Sequence, residues 1–149
     1  MPTSKENKEQ QISLLTDKIK TEPITSFLQS EILEISEGYS RVSLVMRPEF
    51  ENFHGIIFGG IIMSIADQAF GAAANSMAYP SVASNLNVYF ISSAKVGDTL
   101  TAEGRVIKSG RKAGFTEVTV VNQDNKLVAR ATGVTIPTKE HISVTGSID

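Results

Sequence analysis

Hydrophobic and polar positions along this chain follow two periods, and one stretch follows neither. From Gly55 to Ala74 the only polar side chains are Ser64, Asp67 and Gln68; the rest is Gly, Ile, Phe, Met and Ala. The pattern predicts a helix from about Gly59 to Met77, apolar nearly all round and therefore buried, that stops before Pro80. Upstream, Ile12, Leu15 and Ile19 recur at helical spacing and predict a short amphipathic helix ending near Lys20, broken by Pro23. Residues Met1 to about Lys8 read as a disordered tail.

Period two governs most of the remainder. Phe27–Ser36 and Tyr39–Met46 read as strands around the turn Glu37-Gly38, and Arg47 to Phe58 as a loop. After the central helix come four more strand signals: Val82–Ile91, Thr99–Lys108, Phe115–Asn122 and Leu127–Ile136. In the first, Val82, Leu86, Val88 and Phe90 are assigned to one face, and Asn85, Asn87 and Tyr89 to the other. Turns at Lys95–Asp98, Ser109–Arg111 and Gln123–Asn125 suit an antiparallel meander. The expected fold class is α+β, an antiparallel sheet wrapped around a long central helix, in one domain over residues 1–149 with a polar, frayed tail from 138 to 149.

Composition narrows the function. A chain of 149 residues can bury one real core. A net charge of -2 gives no nucleic-acid footprint. Without cysteine there is no disulfide framework, thiolate nucleophile or thiolate metal site, and His54 and His141 are too few for a multi-histidine centre. The polar N-terminus is no signal peptide, and the acid and amide inside Gly55–Ala74 argue against a membrane span. A cytoplasmic enzyme or binding protein without a metal or a membrane partner is the expectation.

Asp67 is then the anomaly, because a carboxylate in an apolar helix is costly unless it is paired, hydrogen-bonded or neutralised. The paired glycines Gly59-Gly60 open the same helix. Their free N–H groups at the positive end of its dipole would suit an oxyanion. Eight residues separate Gly59 from Asp67, about 12 Å along the axis, too far for both to reach one carbon. Two copies with antiparallel central helices can meet the requirement, so the spacing predicts a homodimer with Gly59 of one chain facing Asp67 of the other.

The run Asn52…Gly55…Phe58-Gly59-Gly60 through Asp67-Gln68-Ala69 resembles the hot-dog-fold thioesterases of the PaaI (phenylacetate-degradation) type. So do Asn87–Phe90, Ser93–Leu100, Ser109–Lys112 and Asn125–Ala129, over roughly Pro23 to Pro137. The resemblance implies hydrolysis of an acyl-CoA thioester by a homodimer or a dimer of dimers (a homotetramer). Coenzyme A would be part of the substrate, with no separate cofactor. By position it implies the Gly59 N–H as oxyanion donor, Asp67 as general base or nucleophile, and Asn52 as the group holding the carbonyl or the water.

Two positions depart from the family pattern. Phe58 stands where a histidine is usual. Ala83 stands where several relatives carry a Ser or Thr that orients the water; neighbouring Ser84 is a candidate, although strand alternation points it to the opposite face. Gly60, Phe58 and Ser84 are further candidate substrate contacts, and Arg111 and Lys112, adjacent in one turn, are candidates for the CoA phosphates. The competing reading is a non-catalytic acyl-CoA-binding or sensor protein of the same fold. A hydratase would need a histidine–acid pair, and His54 with Asp67 does not match that spacing.

Overall fold

The computed structural model of the chain describes residues 1–138, and its first helix begins well before the apolar periodicity does. Helix α1 runs Ser4–Thr21. Thr3 caps it through a reciprocal box: its hydroxyl accepts from the Glu6 N–H, and the Glu6 carboxylate accepts from the Thr3 N–H. Residues 4–8, expected as tail, are therefore helical.

Pro23 ends α1 and also opens α2 (Pro23–Leu28), where its missing N–H falls on a position that has no intrahelical partner. Phe27 and Leu28, expected in a strand, thus belong to a helix, which closes at Gln29 with φ of 60°. Strand β1 begins only at Glu31.

The remaining elements follow the expected order. They are β1 (Glu31–Ser36), β2 (Tyr39–Val45), α3 (Gly59–Met77), β3 (Ser81–Phe90), β4 (Thr99–Ser109), β5 (Gly114–Val121) and β6 (Leu127–Pro137), with a 3-10 turn at Pro48–Phe50. The six strands form one antiparallel sheet in the order β1-β2-β4-β5-β6-β3, so the turns at Ser109–Arg111 and Gln123–Asn125 make the expected hairpins, whereas Lys95–Asp98 does not: β3 pairs with β6 at the edge, and β4 with β2. Thr138 ties off the end of β6 by donating its N–H to the Pro80 carbonyl at 2.9 Å. The rest of the expected C-terminal tail, 139–149, lies outside the described residues. No helix among those residues is long and apolar enough to cross a membrane.

The sheet curls around α3. Its inner face presents Leu100 and Ala102 from β4, Val118 and Val120 from β5, and Ala129 and Ala131 from β6, all buried against Ile65, Ala66, Ala69 and Phe70 of the helix. Two glycines set how closely helix and sheet approach. A Cβ on Gly104 would lie 2.5 Å from the Ala69 carbonyl oxygen and 2.7 Å from the Ser40 Oγ. That hydroxyl is buried and donates to the same carbonyl at 2.5 Å, a bond from strand to mid-helix. A Cβ on Gly133 would lie 2.5 Å from the Phe70 ring and 2.6 Å from the Asn85 carbonyl oxygen.

Gly133 also faces a fault in the ladder. Ala83 pairs with Thr135 and Asn85 with Val134, which leaves Ser84 as the extra residue of a β-bulge. Beyond the bulge the expected alternation holds, with Leu86, Val88 and Phe90 on one face and Asn85, Asn87 and Tyr89 on the other, but Val82, before it, changes face. Val82 pairs with exposed Ile136, whereas Leu86 pairs with buried Gly133, so the two lie on opposite faces.

Candidate functional site

Helix α3 is not buried all round. Gly60, Met63, Ser64, Asp67 and Gly71 are exposed or half-buried, while Ile62, Ile65, Ala66, Ala69 and Phe70 are buried. The spacing i, i+3, i+4, i+7 makes the first set one stripe of the helix, uncovered by the chain's own sheet. Asp67 is thus exposed in the single chain, contrary to the expectation of a buried carboxylate. It sits in a cleft of about 360 Å³ lined by Gly60, Met63, Ser64, Asp67, Ala83, Ser84, Asn85 and Leu86. The carboxylate has no hydrogen-bond or ion-pair partner among the described residues, and desolvation by the cleft walls raises its pKa above the ordinary aspartate value.

Across the cleft from Asp67 stand four consecutive residues of β3, Ala83, Ser84, Asn85 and Leu86. Ser84, the extra residue of the bulge, is among them, although strand alternation pointed it to the opposite face. Of the other polar groups there, the Ser64 hydroxyl donates to the Gly60 carbonyl at 2.7 Å, and the Asn85 Oδ1 accepts from Asn87 at 3.0 Å. Ser84 has no such partner among the described residues.

At the start of α3, Phe58 supplies no side-chain cap, and the Gly59 and Gly60 N–H groups have no acceptor among the described residues. Aromatic rings pack where side chains would otherwise be. The Phe58 ring would lie 2.4 Å from a Cβ on Gly60, and the Phe90 ring 3.1 Å from one on Gly59. Both phenylalanines are exposed, so the helix start is flanked by apolar surface but left open along its axis.

Asn52 lies outside this cleft. Its Oδ1 folds back to accept from the N–H groups of His54 (2.9 Å) and Ile56 (3.3 Å), and Gly55 completes the turn with φ of 75°. Only its amide NH2 is left for another partner. Arg111 and Lys112 are exposed on the β4–β5 turn and do not line the cleft either. One chain thus brings together Asp67, Gly60 and Ser84, but not Asn52, Arg111 or Lys112. Met63 and Ser64, missed as site residues, were within reach of a helical-face argument, lying four and three residues before Asp67. Asn85, Leu86 and Phe90 carried no comparable signal.

Residues 54–129 match the sequence profile of the Thioesterase superfamily. The chain belongs to that superfamily. This thioesterase is 35% identical over 99 residues to the acyl-coenzyme A thioesterase PaaI of Escherichia coli K12, covering 66% of this chain and 71% of the relative. Its fold superposes on the solved E. coli PaaI protein from the phenylacetic acid degradation operon with a TM-score of 0.80 at 29% identity, covering 88% of this chain and 93% of that one. A protein of Streptococcus mutans UA159 solved with bound acetyl-CoA gives a TM-score of 0.71 at 29% identity, over 73% and 88% of the two chains. The architecture is the hot-dog fold, and the protein is a thioester hydrolase of the PaaI type. Among the described residues no three His, Asp or Glu side chains gather as a metal site would require.

Proposed function

We propose that this protein hydrolyses acyl-CoA thioesters to the free acid and CoA, with Asp67 of one chain working on a carbonyl held at the α3 start of a second. The observation that carries the proposal is the open stripe of α3, an unpartnered carboxylate of raised pKa on the same uncovered helix face as an unsatisfied N-terminus. Gly71 continues that stripe with nothing within 4 Å of where its Cβ would be. A glycine inside a helix costs about 1 kcal/mol relative to alanine, a cost that close approach of another helix would offset. The neighbouring strand β3 is an edge strand with Tyr89 and Phe90 exposed, a surface that a second copy would cover.

In the reaction the carbonyl oxygen sits against the Gly59 N–H, where the helix dipole stabilises the developing oxyanion. Asp67 takes a proton from water, and the water oxygen bonds to the carbonyl carbon. The tetrahedral centre collapses by breaking the C–S bond, and the proton held by Asp67 passes to the leaving thiolate. If Asp67 attacks directly, its carboxylate oxygen bonds to the carbonyl carbon and the C–S bond breaks to release CoA thiolate. Water then cleaves the acyl anhydride, restoring the Asp67 carboxylate and giving the acid, with the water proton passing to the thiolate. Ser84 holds the water against Asp67, taking the place left without a hydroxyl at Ala83. Asn52 offers its amide NH2 to the carbonyl or water, Phe58 and Gly60 border the substrate, and Arg111 and Lys112 meet CoA phosphates by side-chain movement or from the second chain. CoA is part of the substrate, and no other cofactor is needed.

The test is release of free thiol from a panel of acyl-CoAs, with Asp67→Asn as control. Loss of about 10²–10⁴ in kcat with retained fold is expected for a general base. Wild-type turnover in that variant refutes the assignment, and saturable acyl-CoA binding without any thiol release favours the sensor reading. Single turnover in H₂¹⁸O separates the two roles of Asp67, because only the nucleophile acquires the label in its own carboxylate.

A further inference from the structure

We propose that the groove between α1 and the C-terminal end of α3 is a second binding site, one that takes an amphiphilic carboxylate, an acid with an apolar body and a single anionic head. The groove has a volume of about 430 Å³, the size of a small-molecule site. Ile12, Leu14 and Leu15 of α1 line one side, and Met77 and Ala78 line the other. Leu14 is 57% exposed, apolar surface that the body of such a ligand would cover.

The polar groups select the head. No Asp or Glu lines the groove, whereas Lys8 and Lys18 both do, which favours an anion. Lys8 already meets Glu37 of the β1–β2 turn at 3.8 Å, while Lys18 has no carboxylate partner among the described residues. The Lys18 ammonium instead donates to the Tyr79 hydroxyl at 2.9 Å. With its oxygen engaged as acceptor, the phenol keeps its own proton to give. Ammonium and phenol thus offer a carboxylate two donors side by side. On the α3 side the polar side chains are already engaged. Asn75 donates to the Gly71 and Ser81 carbonyls and accepts from the Ser81 N–H. The Ser76 hydroxyl donates to the Ala73 carbonyl at 2.6 Å and accepts from the Gly38 N–H at 2.8 Å. The last carbonyls of α3 carry the negative end of its dipole and repel an anion. The head therefore lies at Lys18 and Tyr79, and the body runs along Leu15 and Met77.

This site is separate from the cleft at Asp67. Asn75 stands eight residues beyond Asp67, about 12 Å further along α3. The Lys8–Glu37 and Gly38–Ser76 contacts place the groove beside the β1–β2 turn, whereas β3, which borders the cleft, is the opposite edge of the sheet. A second copy across β3 would leave the groove open. The acid released by thioester hydrolysis belongs to the class the groove selects, so the reaction itself supplies such molecules.

The experiment is a titration of the full chain, ¹³C-labelled at the methionine methyls, with octanoate and separately with octylammonium. Met77 reports on the groove and Met63 on the cleft. Octanoate should shift the Met77 signal saturably, and octylammonium should not. Lys18→Glu should weaken octanoate binding at Met77 about tenfold or more, and Tyr79→Phe about threefold. The Met63 response and thiol release should stay those of wild type in both variants. A response at Met63 alone, a Met77 response that Lys18→Glu leaves intact, or equal binding of octylammonium overturns the proposal. Failure of the Asp67 reading would show in thiol release and leave the Met77 result standing.

Discussion

Gly104→Ala tests how tightly α3 is registered on the sheet. The added Cβ would lie 2.5 Å from the Ala69 carbonyl oxygen, 3.0 Å from its carbon and 2.7 Å from the Ser40 Oγ. Ordinary contact needs about 3.4 Å or more, so helix and strand must part by close to 1 Å. The contacts leave no easy relief, because the Ala69 carbonyl is backbone on the buried side of α3 and Ser40 is fully buried. Overpacking of this kind costs about 1–3 kcal/mol. The separation also breaks the Ser40–Ala69 hydrogen bond, and a buried hydroxyl left unsatisfied costs a further ~1–3 kcal/mol. The expected destabilisation is therefore about 2–6 kcal/mol.

Urea denaturation reads this directly as a lowered midpoint at unchanged slope. Ser40→Ala serves as the control: it removes the hydrogen bond without overpacking and should cost only about 1–2 kcal/mol. Asp67 lies two residues before Ala69, so kcat should fall further in Gly104→Ala than in Ser40→Ala among molecules still folded. A loss of under 1 kcal/mol in Gly104→Ala would refute the reasoning, since the sheet would then have room to spare at the helix.

Other outcomes follow from the same geometry. Because the folded state raises the Asp67 pKa, it binds that proton more tightly than the unfolded chain does. Wild-type stability is therefore highest below the unfolded pKa and declines as pH rises through the folded one. Asp67→Asn should match wild type in acid and exceed it above that window, as paired thermal melts would show. Thiol release should rise with pH to a midpoint above the ordinary aspartate range. Ser84→Ala should lower kcat about 10–100-fold with little change in KM, and Ser84→Thr should recover part of it; full activity in Ser84→Ala excludes a role in holding water. Gly71→Leu, whose Cβ would have no contact within 4 Å among the described residues beyond its own helix backbone, should leave the monomer fold intact while weakening self-association, read by sedimentation.

Much of this molecule can be read from its sequence. The apolar run and Pro80 mark α3, and the turns at Ser109–Arg111 and Gln123–Asn125 mark the β4–β5 and β5–β6 hairpins, because period and breaker residues are local signals; the Lys95–Asp98 turn was misread as a third hairpin, since β3 pairs with β6 across the sheet. What escaped depended on events that are not local. Residues 4–8 are polar and carry no apolar period, yet Thr3 and Glu6 stabilise the helix there through hydrogen bonds. Pro23 was read as a stop when it is also a start. The exposure of Asp67 was misjudged because composition describes a whole helix, whereas the uncovered stripe is set by how far the sheet curls. The spacing from Gly59 to Asp67 was legible because both residues lie on one rigid element. No spacing rule could place Asn52, Arg111 or Lys112, which depend on loops.

The bulge at Ser84 bears on how proteins of this architecture diverge. Ser84 stands at the cleft as the one residue by which this strand exceeds its partner. Deleting that residue would restore the regular pleat and shift every upstream side chain of β3 to the other surface. A hydroxyl could thus be gained or lost at the site by insertion rather than by substitution. Aligning this strand column by column with a relative that lacks the extra residue would pair letters whose side chains occupy different places.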